Sequence, residues 1–120
     1  MGKTLYRAVW LGDPRTKKNS PRIAGKKVLP SKAYTEYEEA CLWQIRQRPR
    51  IETRCNVKAV YYMKTHRVVD LPNLENATLD ILVRGGVLAD DRCTIAYTMD
   101  GSYVDYDREN PRVEITIEEV

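Results

Sequence analysis

The sequence predicts an α+β fold, a mixed α/β sandwich in which two helices lie on a mixed sheet. Three observations predict it. Segments near residues 5–11, 55–63 and 113–117 carry the apolar and β-branched patterning of strands. Two stretches between them follow helical spacing instead, so the order reads β-α-β-α-β-β. Finally, 120 residues with 42% hydrophobic and 31% charged content suit one compact domain with one core, expected to span 1–120.

The first strand is expected from Leu5 to Leu11, around Tyr6, Val9 and Trp10. Gly12-Asp13-Pro14 breaks it and opens a basic loop at about 12–30. Within that loop, Arg22-Ile23 and Lys27-Val28-Leu29 flank Ala24-Gly25-Lys26 and read as a small hairpin. Ser31 reads as the N-cap of a helix running to about Gln47, with Glu36, Glu38 and Glu39 in its early turns, Arg46 and Arg48 at its end and Pro49 as its stop. Tyr34, Tyr37, Cys41 and Ile45, with Leu42 beside them, form its buried stripe. Cys55 to Met63 alternates as the second strand, and Thr65 to Val69 carries it onward. A second helix, from about 73 to 84, buries Leu74, Thr78, Ile81 and Leu82, with Pro72 near its first turn and Gly85-Gly86 at its end. Cys93 to Thr98 reads as a third strand, Asp100-Gly101 as a hairpin turn into Tyr103-Val104, and Val113, Ile115 and Ile117 as the buried side of the last strand.

Charge is distributed unevenly. The net +3 conceals nine basic residues against one acidic in 1–32, leaving 11 basic and 16 acidic in the rest. A basic arm on a mildly acidic body is the electrostatic footprint of a phosphate-backbone contact, and a lysine-rich solvated loop would look the same. The three cysteines, Cys41, Cys55 and Cys93, lack zinc-site spacing and read as reduced, mostly buried thiols. No apolar run nears the roughly 18–20 residues of a membrane span. With no signal-peptide h-region at the N-terminus, the expectation is a cytoplasmic protein with no membrane partner.

The chemistry concentrates in Val69-Asp70-Leu71-Pro72-Asn73-Leu74-Glu75-Asn76-Ala77-Thr78-Leu79-Asp80 and, ten residues on, Asp90-Asp91. Asn73, Asn76, Asp80 and Arg84 share one polar stripe of the second helix, with Asp70 at its entry; a solvated helix face would show the same spacing. That helix is about 18 Å long. Seven extended residues, Gly85 to Asp91, can span roughly 23 Å, so Asp90 or Asp91 can return to Asp70 within one chain. Carboxylates so gathered, with Asp80 as a further candidate, need Mg²⁺ or an equivalent cation to stay ionised, and that cation could polarise a phosphate oxygen.

Asp70-Leu71-Pro72-Asn73-Leu74, then Ala77, Asp80 and Leu82, then Gly86 and Asp90-Asp91, resemble the RusA-type Holliday junction resolvases in a phage-like variant. The family pattern runs roughly D-L-D-N-L-x-K-A-x-x-D-x-L and then D-D. The resemblance implies a homodimeric, Mg²⁺-dependent endonuclease, with Mn²⁺ as the alternative ion, that nicks four-way or branched DNA symmetrically. It places the first acidic ligand on Asp70 and the last on Asp91, with Asp90 beside them. Two positions depart from the pattern: Pro72 replaces the second aspartate and Asn76 the lysine. A rearranged site would then draw on Asp90, Asp80, Asn73 or Glu75, with Asn76 as support, and the other reading is a branched-DNA binding protein that has lost cleavage. Arg15, Lys17, Lys18, Asn19, Arg22, Lys26 and Lys27 are the expected DNA contacts. His66 is expected on a strand surface rather than as a base, and Tyr103 and Tyr106 in packing or a dimer surface.

Overall fold

A computed structural model describes residues 2–17, 22–25, 27–29 and 31–120, with the backbone alone of 22–24 and 27–29. The alternation that marks a half-buried strand holds in β1 (Thr4–Leu11), β4 (Cys55–Met63) and β7 (Arg112–Glu119), which pair antiparallel in the order β1-β7-β4. Register aligns their inward residues in rows: Trp10 with Val113 and Tyr61, Ala8 with Ile115 and Ala59, Tyr6 with Ile117 and Val57. Directly paired residues share a sheet face, so these rows make one continuous apolar surface. The hairpin expected in the basic loop is present as β2 (Arg22–Ala24) paired antiparallel with β3 (Lys27–Leu29).

Helices α1 (Lys32–Gln44) and α2 (Leu71–Arg84) cover that surface. Ser31 caps α1 as expected, its Oγ accepting the Tyr34 amide at 3.1 Å. Tyr34, Tyr37, Cys41 and Ile45 are buried, and so are Leu74, Ala77, Thr78, Ile81 and Leu82 on α2. Inside this core, burial pushes the Cys41 thiol up to about 12 and raises that of Cys55, so both remain protonated thiols; Cys93 is exposed.

Four local expectations need correction. Helix α1 ends at Gln44, short of Gln47, where the Gln44 amide ties the helix to β1: Oε1 accepts the Leu11 amide at 2.7 Å, and Nε2 donates to the Leu11 carbonyl at 3.0 Å and to the Ala40 carbonyl, one turn back, at 3.1 Å. Ile45 is already extended, at φ −74° and ψ 117°. The stretch Thr65–Val69 is not strand, so His66 sits in a loop, its ring stacked 3.6 Å from that of Tyr106. The third strand, β5 (Ala96–Thr98), starts late because the Arg92 carbonyl first closes a turn on the Ile95 and Ala96 amides. Asp100-Gly101 does not make a hairpin. Strands β5 and β6 (Tyr103–Tyr106) both run parallel to β4, at its beginning and its end, as two pieces of one edge strand. The Asn56 side chain holds the excursion between them, accepting the Asp100 amide at 2.7 Å and donating to the Asp100 carbonyl at 3.1 Å.

Gly85 closes α2 where the end of α1 crosses it. A Cβ there would meet Ile45 Cδ1 at 2.3 Å and the Ile81 carbonyl oxygen at 3.2 Å. Since Ile45 is buried and the carbonyl belongs to the helix, neither has free room to move. Gly85→Ala is expected to cost about 1–3 kcal/mol of stability in urea unfolding, and an unchanged midpoint would show that this contact is loose. Among the described residues no helix is long and apolar enough to cross a membrane.

Candidate active site

The basic loop is pinned beside the entry of α2. Asp13 accepts the Lys64 amide at 2.9 Å and Arg67 Nη1 at 2.8 Å, while Arg67 Nη2 donates to the Pro14 carbonyl at 2.6 Å. Arg15 also pairs with Asp13, at 3.3 Å. With Thr16 buried, this anchor delivers Lys17 to α2, where its ammonium bonds the Asp80 carboxylate. No local pattern signals the contact, because its partners lie 63 residues apart.

Asp80 and Lys17 share a cavity of about 340 Å³ with Tyr34, Thr35, Glu38, Val83, Arg84 and Asp91. Helix α1 contributes Glu38, whose carboxylate accepts the Tyr34 hydroxyl at 3.2 Å and pairs with Arg84. Burial and then the Glu38 charge raise the Tyr34 phenol far above its usual range, so it stays a neutral donor. The cavity thus holds three carboxylates against two cations. Asp80 has Lys17 and Glu38 has Arg84, whereas Asp91 has no cationic partner among the described residues.

Asp91 reaches this cavity because the segment after α2 is tied to the chain following α1. Arg50 and Ile51 amides donate to the Gly86 and Val87 carbonyls at 2.9 and 2.8 Å, and the Ala89 amide donates to the Ile51 carbonyl at 2.9 Å. Asp90 turns aside: its carboxylate accepts the Asp91 amide at 2.7 Å and pairs with Arg92 at 3.1 Å. Its partial desolvation opposes ionisation, but the hydrogen bonds from Asp91 and the Arg92 charge outweigh it and hold Asp90 below the usual carboxylate range.

The return of the chain therefore brings Asp91 together with Asp80. Asp70 and Asp90 are not among the residues lining that cavity. Asp70 occupies the N-cap position of α2, roughly 15 Å along the axis from Asp80 at 1.5 Å per residue. Its carbonyl accepts the Asn73 and Leu74 amides at 3.1 and 3.2 Å, whereas its exposed carboxylate accepts, among the described residues, only the Asn73 side-chain amide, at 3.4 Å. Glu75 and Asn76 do not line the cavity either; partial burial pushes the Glu75 carboxyl up. Among the described residues, no three His, Cys, Asp or Glu side chains come together as a metal site. Of the expected DNA contacts, Arg15 and Lys17 are placed as above and Arg22 and Lys27 lie on the β2–β3 hairpin. Lys18, Asn19 and Lys26 lie outside the described residues. Glu38 is read in the sequence only as an early-turn carboxylate of α1, and Thr35 and Val83 carry no sequence signal for the cavity at all; the one local hint for Glu38 is that it follows Tyr34 by one helical turn, which the buried stripe of α1 absorbs.

A match to endodeoxyribonuclease RusA extends over residues 12–118 of the chain, taking in the loop anchor, both helices and every acidic residue above. The chain belongs to the RusA family. Among curated proteins none matches it. Family membership makes endodeoxyribonuclease chemistry, the hydrolysis of DNA phosphodiesters, the activity to be assigned within this fold. The matched stretch includes the cavity lined by Lys17 of the basic loop and by Asp91, which has no ion-pair partner among the described residues.

Proposed function

We propose that this RusA-family chain is a divalent-metal-dependent endonuclease that resolves four-way DNA junctions by paired symmetric nicks, working as a homodimer on branched DNA in recombination and repair. The observation that carries the reading is the family match, which spans Asp70 and Asp91 together. The donor chemistry suits a hard cation: the anionic groups among the described residues lining the cavity are carboxylates, with hydroxyl oxygens beside them and neither cysteine nor histidine. Asp70 and Asp91 would hold the ion, with Asp90 and Asp80 as the further carboxylates and Asn73, Glu75 and Asn76 in support; because Asp70 stands outside the Asp80–Asp91 cavity, this requires the entry of α2 and that cavity to draw together when DNA and metal bind. Mg²⁺, or Mn²⁺ in its place, would supply positive charge at the phosphate oxygen and a more acidic water.

The chain's own residues do the rest. Lys17 neutralises a backbone phosphate near the cavity, and the Asp80 carboxylate holds its ammonium in place beforehand. Arg84 and Tyr34 fix Glu38, which keeps that wall of the cavity rigid. Lys17→Ala is expected to weaken junction binding and to lower the slope of log affinity against log salt by about one, as for one lost phosphate contact. Gel shifts across a salt series measure it.

A crystal soaked in Mn²⁺ tests the metal assignment: an ion on Asp91 agrees with it, and a soaked crystal with no ion on Asp70 or Asp91 contradicts it. The second reading is a branched-DNA binding protein without cleavage. Pro72 and Asn76, which remove an acidic and a basic side chain, favour it, together with the lack of a three-carboxylate metal cluster among the described residues. That reading expects salt-sensitive junction binding and no product with either metal.

A further inference from the structure

Trp43 is 85% exposed at the last turn of α1, an unusual position for the largest apolar side chain. It stands as a ridge between two surface cavities. One, of about 600 Å³, includes Val9, Leu11 and Arg7 of β1 together with Arg46; the other, of about 530 Å³, includes Arg46 and Arg48. Val9 and Leu11 are themselves half exposed, at 48% and 56%, so the first cavity has an apolar floor. None of Arg7, Arg46 and Arg48 has a carboxylate ion-pair partner among the described residues, and Glu39 is the only acidic side chain lining either cavity. At 3.6 residues per turn Trp43 lies roughly 140° around α1 from Glu38, so this surface is separate from the acidic cavity.

We propose that Trp43 is a stacking platform for an unpaired DNA strand, with Arg7, Arg46 and Arg48 holding the phosphates on either side of the stacked base. The charge selects the occupant. A second copy of the chain seated symmetrically on the same patch would bring these three arginines against their own counterparts. A polyanion is instead neutralised by them, and an intact duplex offers no exposed base face to the indole, whereas an unpaired strand does. The choice of DNA as the polyanion rests on the family reading above; the platform does not rest on cleavage.

Fluorescence tests it directly, because the other tryptophan, Trp10, is completely buried. Titration of the full chain with oligo(dT) at low salt is expected to quench Trp43 emission. Trp43→Ala should weaken binding by at least roughly fivefold, and Arg46→Glu with Arg48→Glu should abolish the quenching. Trp43 and both arginines are exposed, so these variants are expected to fold, and circular dichroism verifies it. Oligonucleotide binding without quenching, or with unchanged affinity in Trp43→Ala, overturns the platform. So does a Trp43→Ala chain that turns monomeric in sedimentation where the parent is a dimer, since the patch is then a self-association surface. Quenching in a chain that cleaves nothing leaves the platform standing and the resolvase reading refuted; cleavage without quenching does the reverse.

Discussion

Asp91→Asn and Asp70→Asn are each expected to reduce junction cleavage by roughly 10²–10⁴-fold while leaving junction affinity nearly unchanged. Asparagine keeps the size and hydrogen-bonding shape of the side chain and removes only the charge that would hold the cation. Neither change threatens the fold. Asp91 is exposed, and at the N-cap position of α2 asparagine serves as well as aspartate. Single-turnover cleavage of a labelled junction, paired with gel shifts in EDTA, separates the two effects. Equal loss of binding and cleavage would make these residues structural. Asp80→Asn is a useful contrast, because it releases Lys17 and so should alter binding as well as rate.

Ile81→Ala is expected to remove about 2–5 kcal/mol of stability, a large part of the roughly 5–15 kcal/mol that a domain possesses. Ile81 is fully buried and follows Asp80 directly on α2. It belongs to the apolar face, with Leu74, Ala77, Thr78 and Leu82, that fastens the helix to the sheet. Truncation deletes buried methyl and methylene groups and leaves a cavity that a close-packed sheet cannot collapse to fill. Because Asp70 and Asp80 ride on the same helix, loosening it should also blur the site they define. Urea unfolding measures the first effect, and a loss below about 1 kcal/mol would mean that α2 is not held by this face.

Much of the fold was legible because its signals are local. The alternation in Val113, Ile115 and Ile117, the Ser31 cap and the stripe Leu74–Thr78–Ile81 each depend on neighbours within a turn or two. Where the reading failed, a distant partner had the deciding say. Asp100-Gly101 has hairpin chemistry, yet Asn56, 44 residues away, holds it as an excursion within one edge strand. Helix α1 ends where Gln44 reaches across 33 residues to Leu11, short of Pro49. The site divides in the same way. The acidic segment and the basic loop stand out in sequence, and the carboxylate return could be bounded by chain length. Its destination at Asp80 could not, because that follows from the pairing of Gly86–Ala89 with Arg50–Ile51. The Glu38–Arg84 pair, 46 residues apart, was invisible for the same reason.

The measurement that bears most directly on the account is incubation of the chain with a synthetic four-way junction, each strand labelled in turn, against matched duplex, in Mg²⁺, in Mn²⁺ and in EDTA. Paired nicks at symmetric positions in opposing strands, on the junction alone and only with metal, are the predicted result. Junction binding with no product in either metal would contradict it and establish that Pro72 and Asn76 have left a binding protein.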